Sequence, residues 1–222
     1  MMQSEMARGG LIGLVALAVA AFDVGMAAAA DKVTWNVSLW GNRRGFTEGV
    51  EHLASEVAKR TDGNFTIRLH YGESVSPVKG NLDSVKIGAV EMAAFCVSYH
   101  PGKTPAMTGL DLPFLPLPTF DVQREVHEAY YRHPAVVKEM RSWNAEAIFS
   151  NLLQQYEFLG TGDPPRELDD WKGMRVRATG GLGDAMRLLG ATPTSVAAPE
   201  VYTALERGMV SAAAFPFTTA HV

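Results

Sequence analysis

Val33 to Leu39 sets apolar Val33, Trp35, Val37 and Leu39 against polar Thr34, Asn36 and Ser38. A period of two marks a half-buried strand. Trp40-Gly41-Asn42-Arg43-Arg44-Gly45 follows as a turn-rich loop. The period then lengthens. Phe46, Val50, Leu53 and Val57 form one stripe of a helix that ends near Thr61-Asp62-Gly63. Phe65 to Tyr71 predicts a second strand with Phe65, Ile67 and Leu69 inward. Leu82, Val85 and Ile87 predict a short helix ended by Gly88, and Val90 to Val97 a third strand. Strands alternating with helices imply a parallel sheet.

Pro113, Pro116 and Pro118 punctuate the loop from Leu110 to Phe120. Asp121 fits an N-cap, and Val122 to Arg141 predicts a helix interrupted near His133-Pro134. Ala145 to Leu153 is apolar enough for a further strand. Gln154, Gln155, Tyr156 and Glu157 then mark a crossing to a second unit. There Met174, Val176 and Ala178 alternate with Arg175 and Arg177, again a strand. Gly180, Gly181 and Gly183 break it, and Asp184 is placed to charge the first turn of a helix. That helix carries Met186, Leu188 and Leu189 and stops at Gly190. Thr192 to Ala197 is a short β-prone run. Pro199 and Glu200 open another helix, with Val201, Leu205 and Met209 at four-residue spacing and Gly208 at its end. Ser211 to Phe215 is a strand closed by Pro216.

In open α/β sheets, ligands sit beyond the strand C-terminal ends. Arg177 is near such an end, on the polar face of its strand. A guanidinium presents five donors in a rigid fork that fits a carboxylate with two parallel bonds. The competing reading is a solvated strand arginine or an internal ion pair. Trp40, Asn42 and Arg43 follow the first strand, and Ser98, Tyr99 and His100 the third. Trp40 and Tyr99 offer apolar walls with a polar rim. Gln155 and Tyr156 at the crossover, and Ala198 ahead of Pro199, are further candidates for the ligand cleft, as is Asn42.

The 222 residues carry a net charge of −4 and 47% hydrophobic residues, ordinary for one or two globular domains. Nothing is basic enough for nucleic acid. Arg8, the apolar run Leu11 to Phe22, and Ala28-Ala29-Ala30 before Asp31 describe a signal peptide cleaved after Ala30, hence export to the periplasm. Cys96 is the one cysteine, so no disulfide forms within the chain. No second histidine or carboxylate stands at metal-ligand spacing from His100, and no metal or cofactor is expected.

Lys172-Gly173-Met174-Arg175-Val176-Arg177, Leu189-Gly190-Ala191-Thr192-Pro193 and the run Glu200 to Gly208 (EVYTALERG) resemble, with spacing kept, a known signature. It belongs to the second domain of solute-binding proteins of tripartite ATP-independent periplasmic (TRAP) transporters, the DctP-type family. Lys59 to Gly63, Leu82 to Ala93 and Leu112-Pro113-Phe114 resemble the first domain of the same family. The resemblance runs from Val33 to Pro216. It implies a two-lobed, periplasmic-binding-protein-like α/β fold, each lobe a mixed or parallel sheet flanked by helices. Residues 31–153 would form the first lobe and 154–222 the second, after the leader at 1–30. Family members typically continue past this point with a long helix and returning strands, so the second lobe is expected to be incomplete.

The resemblance also implies a role. Arg177 falls on the family's arginine that clamps the ligand carboxylate, and the loaded protein is delivered to TRAP permease subunits. A monomer is expected. Two positions depart from the pattern: Ala178 replaces a common proline, and Phe215 replaces an asparagine that often contacts ligand. Phenylalanine neither donates nor accepts a hydrogen bond, which points to a less hydroxylated solute at that end.

An enzyme is the rival class. Gly180-Gly181-Leu182-Gly183 before a helix invites a phosphate cradle, but the third glycine of a dinucleotide fingerprint is missing and no GK[ST] follows. No GxSxG or HExxH occurs either. A further alternative is a truncated, non-transporting relative or an exported ligand sensor.

Overall fold

The computed structural model describes residues 31–216. The expected leader with its cleavage point, and Phe217 onward, lie outside the described residues. β1 (Val33–Leu39), α1 (Glu48–Arg60), β2 (Phe65–His70), α2 (Asn81–Lys86) and β3 (Met92–Ala94) form the first lobe's parallel sheet, in the order β2-β1-β3. β1 pairs with β2 from Val33↔Phe65 to Ser38↔His70, and with β3 from Val37↔Met92 to Leu39↔Ala94. β1 is therefore central. Val37, Ser38 and Leu39 are all fully buried, so the expected polar face disappears at this end of the strand. The stripe read on α1 packs as its period requires. Val50 joins Val37, Leu39, Ile67 and Met92 in the core, with Leu53 and Val57 beside it.

β3 is shorter than the predicted Val90–Val97. After Ala94 the chain leaves the sheet and, from Cys96, winds into a single 3-10 turn, Val97–Tyr99, which carries Tyr99 toward the second lobe. α3 (Phe120–Tyr131) and α4 (Pro134–Ser142) divide at His133-Pro134 as expected, because proline at the start of a helix loses no hydrogen bond. The cap of α3 is Thr119 and not Asp121: the Thr119 side chain accepts from Val122 N, and Asp121 sits within the first turn. Leu82, Met107, Val136 and Met140 bind α2, the 3-10 turn Met107–Asp111 and α4 into one cluster. The Glu139 carboxylate fastens this turn by accepting from Ala106 N (2.8 Å) and Met107 N (3.0 Å).

Residues 145–153 form no strand. An apolar run becomes a strand only when a ladder accepts its backbone, and this one lies against no sheet edge among the described residues. Its neighbour does pair. β4 (Tyr156–Gly160) was read only as a crossover, yet it lies antiparallel to β7 (Ala212–Pro216), from Tyr156↔Pro216 to Gly160↔Ala212.

The second lobe also holds β5 (Arg175–Arg177), α5 (Gly180–Leu188), β6 (Thr192–Thr194) and α6 (Val201–Glu206), with sheet order β4-β7-β5-β6. The sheet is mixed: β5 runs parallel to both β6 and β7. Ala212, Ala213 and Ala214 of β7 are buried, their small side chains admitting helices on both faces. Val176, Ala178, Met186 and Ala191 make one core cluster, and Val196, Val201, Ala204 and Val210 another. α5 begins at the glycines themselves. Asp184 consequently falls beyond the first turn and pairs with Arg187 at 2.5 Å instead. α6 ends before Met209, which is 55% exposed.

A candidate ligand cavity between the sheets

Between the two sheets lies a cavity of about 1090 Å³. Its floor is the C-terminal end of β5, where Arg177 is only 3% exposed. The solvated-arginine reading therefore fails. The internal ion-pair reading fails as well, since among the described residues no ion pair includes Arg177. Removing a cation from water without a counter-ion costs several kcal/mol, so the surroundings must offer dipoles, a partner must arrive, or both.

The dipoles are present. Arg177 Nε donates to Val196 O at 3.0 Å, Nη1 to Ala214 O at 2.6 Å, and Nη2 to Tyr99 Oη at 2.9 Å. These bonds fix the plane and tilt of the guanidinium. They use three of its five N–H groups and leave one on each terminal nitrogen, a pair suited to the two oxygens of a carboxylate. The Phe215 ring lies beneath, its centroid 4.5 Å from Cζ, a cation–π contact.

Tyr99 is the first lobe's contribution. Its oxygen accepts from Arg177 Nη2 and from Ala198 N, each at 2.9 Å. With both lone pairs engaged, the phenol proton is free to point at an acceptor in the cavity. Burial pushes the Tyr99 hydroxyl above its ordinary value, so it stays protonated as a donor near neutral pH. Trp40 packs edge-on against Tyr99 with centroids 5.9 Å apart and also lines the cavity.

The other candidates fall as follows. Gln155, Tyr156, Ala198 and Phe215 line the cavity, as does Ser98. Burial raises the Tyr156 phenol well above its usual range. Asn42 does not reach the cavity: it is exposed, with Oδ1 close to Gly72. The loop after β1 instead turns Arg44 inward, half-buried over the Trp40 and Phe46 rings at 5.1 Å from each centroid. Arg43 points away to Glu51, at 2.8 Å. His100 is buried against Phe95 and is not part of the lining.

Sequence reading missed Asp111. It ends the 3-10 turn after Met107, lines the cavity, and has an Oδ2 that is buried without a hydrogen-bond partner. Burial alone raises its pKa to about 6. A charged residue beside a proline-rich stretch reads as surface, and no local pattern signals otherwise.

Nucleophilic chemistry finds little support in the lining. Cys96 Sγ lies 3.0 Å from Ser98 Oγ, and burial pushes the thiol up, away from the reactive thiolate. Among the described residues, no group of three or more His, Cys, Asp or Glu is arranged to hold a metal.

The two α/β lobes thus enclose a cavity floored by a buried cation that has no anionic partner among the described residues, an arrangement suited to holding an anionic solute. The chain belongs to the bacterial extracellular solute-binding protein family 7 (DctP), whose model matches residues 38–221. It is similar to a solute-binding protein of Albidiferax ferrireducens, 28% identical over 170 residues that make up 74% of this chain and 48% of that one. It is also similar to a monocarboxylate 2-oxoacid-binding periplasmic protein of Nostoc sp., 26% identical over 82% of this chain and 50% of the relative. The chain thus spans about half the length of the curated relatives it matches. Among solved structures, DctP6 is an extracytoplasmic solute receptor from Bordetella pertussis that binds pyroglutamic acid. It superposes with a TM-score of 0.75 at 17% identity, over 85% of this chain and 62% of that one.

Proposed function

We propose that this chain captures a small organic carboxylate between its two lobes through Arg177, in the periplasm, and delivers it to TRAP-type permease subunits. The observation that carries the proposal is a cation, 3% exposed and aimed by three hydrogen bonds, with no anionic partner among the described residues. A solute carboxylate supplies the missing charge. It meets two free N–H groups of Arg177 and the free proton of Tyr99, three donors converging on one anionic group. Ligands in the relatives' names, a monocarboxylate 2-oxoacid and pyroglutamic acid, carry that group. Phe215 and Trp40 enclose the apolar part of the solute and exclude water, which strengthens the ion pair.

Capture requires that the lobes close on the solute like a hinge. Nothing in this cycle breaks a covalent bond, so the ligand leaves unchanged. A thermal-shift screen of aliphatic, hydroxy, keto and aromatic acids tests the proposal. An acid at 100 times its Kd stabilises the fold by about 2.7 kcal/mol. An acid that raises the melting temperature and is recovered intact supports the reading. No response to any acid, or turnover of one, contradicts it.

A further inference from the structure

His100 lies outside the cavity, yet it backs two segments by which the first lobe touches the second. Its own turn holds Tyr99, whose oxygen takes the Ala198 N–H at 2.9 Å. The other segment is the loop after β2. Gly72 N donates to Gly41 O at 2.9 Å, and the Glu73 carboxylate accepts from Val78 N at 2.5 Å, so the tip of this loop is fixed. That tip meets the second lobe at two points. Val78 packs with Tyr99 and Ala197 in one buried cluster, and Lys79 Nζ donates to Ser195 O at 3.3 Å. None of Val78, Lys79, Ser195 and Ala197 lines the cavity. This part of the seam is closed by contacts that a solute in the cavity does not touch.

The imidazole is wedged behind these contacts. It is 3% exposed, faces the Val78 backbone and meets the Phe95 ring edge-on at 5.8 Å. Its Nε2 is sealed and has no hydrogen-bond partner among the described residues. A neutral ring tolerates such a place. Both nitrogens of an imidazolium are donors, and Nε2 meets no acceptor here. The charges that face the ring give little relief. Lys103, paired with Asp83 of α2, and Lys79 of the loop oppose a positive ring, and Asp83 favours one. Burial is the largest influence and holds the His100 pKa below its ordinary 6.5. The stability contributed by the neutral ring is complete above pH 6.5 and is lost as pH falls below it, toward the lower folded value.

We infer that His100 is a proton-operated wedge of the seam: neutral, it lets Tyr99 and Val78 rest on the second lobe, and charged, it drives that seam open so that the ring reaches water and the cavity releases its solute. Release in acid rests on the carboxylate reading, whereas opening of the seam does not. The ionisable groups that line the cavity, Glu91, Asp111, His127 and Glu146, act in the opposite sense. Protonating any of them makes the cavity more positive and strengthens its hold on an anion. A loss of affinity in acid is therefore specific to the wedge.

The Ala198 N–H, bonded across the seam, reports opening directly. Hydrogen exchange of the solute-free chain and of its His100→Gln and His100→Leu variants is followed at about pH 7.5 and about pH 5, on either side of the ordinary histidine value. Calorimetry of pyruvate and pyroglutamate, both ionised throughout, runs alongside. The expected result is that protection of the Ala198 N–H in the parent falls tenfold or more in acid while the amides of β1 stay protected. In both variants it holds. An acid that binds at the higher pH loses tenfold or more in affinity at the lower one in the parent, and holds or gains in the variants. Equal protection at the two pH values, an equal fall in the variants, or a loss that extends to β1 overturns the inference and leaves carboxylate capture standing. An affinity that holds or rises in acid in the parent also overturns it. Should neither variant fold, the titration of the His100 ring by NMR decides: opening must track its ionisation, and protection that persists once the ring is charged overturns the inference. If neither acid binds at the higher pH, capture of these carboxylates fails, and the exchange data still decide the role of His100.

Discussion

Tyr99 of the first lobe and Arg177 of the second share one hydrogen bond, Nη2 to Oη at 2.9 Å. The same oxygen takes the N–H of Ala198 at 2.9 Å, so a single phenol ties Arg177, the start of the next helical turn and the opposite lobe together. Deleting that oxygen leaves two buried donors unpaired, each costing about 1–3 kcal/mol. Tyr99→Phe is expected to lower stability by about 2 kcal/mol and to weaken carboxylate binding by roughly tenfold, as denaturant melts and calorimetry would record. A variant as stable and as tight as the parent would show that the phenol only fills space.

Gly181 tests how closely the lobes must approach. A Cβ there would meet Asp111 O at 2.6 Å and Pro113 Cδ at 3.1 Å, both across the seam. Backbone cannot yield by half an ångström without moving its lobe. Gly181→Ala touches no solute, yet it is expected to hold the lobes apart, raise Kd at least tenfold and enlarge the radius of gyration of the ligand-bound form in small-angle scattering. An unchanged Kd would mean that binding does not require this approach.

Asp111 makes a pH prediction whose sign is fixed. Its folded pKa of about 6 exceeds the ordinary aspartate value of 3.8, so the folded state holds its proton longer than the unfolded chain. The stability contributed by the neutral carboxyl is complete below about pH 4 and is lost as pH rises toward 6, by about 3 kcal/mol in all. Burial pushes the neighbours that feel its charge, Cys96, Tyr131 and Tyr156, upward and away from that window, and the other ionisable groups lining the cavity, Glu91, His127 and Glu146, are common to both proteins compared. The difference in unfolding free energy between Asp111→Asn and the parent chain is therefore expected to grow from near zero at pH 4 to its full size at pH 7. A difference that stays flat across that range would place Asp111 in water.

Phe215 supports the guanidinium with its ring and lines the cavity as an apolar wall. Phe215→Asn exchanges that wall for a hydrogen-bonding one and is expected to move the ligand profile toward acids hydroxylated near the carboxylate. An identical profile in a competition screen would remove Phe215 from the cavity's working surface.

Much of the architecture was legible as period and punctuation. β1 and α1 follow from Val33–Leu39 and from the Phe46–Val57 stripe because each element buries one continuous face. The failures share a cause, which is that pairing is decided at long range. Ala145–Leu153 has a strand's composition and no edge to join, whereas Tyr156–Gly160 lacks a clean alternation and pairs because β7 is there to receive it. At the site, Arg177 was legible as a guanidinium at a strand's C-terminal end, but its burial depends on the folded lobes around it. Asn42 was misjudged, since only the folded loop decides which residue of Asn42-Arg43-Arg44 turns inward. Asp111 was invisible, for its burial depends on Glu139 and on α5, far from it in sequence.

Calorimetric titration of one responding acid into the parent chain and into Arg177→Met bears most directly on the central claim. Methionine fills similar space without charge, and the buried carbonyls of Val196 and Ala214 lose their donor, so the melting temperature of the free variant is recorded alongside. The account predicts that binding weakens by about 2–5 kcal/mol in a variant that is still folded. Equal affinity in the two proteins would contradict it, because the buried cation would then have no anion to hold.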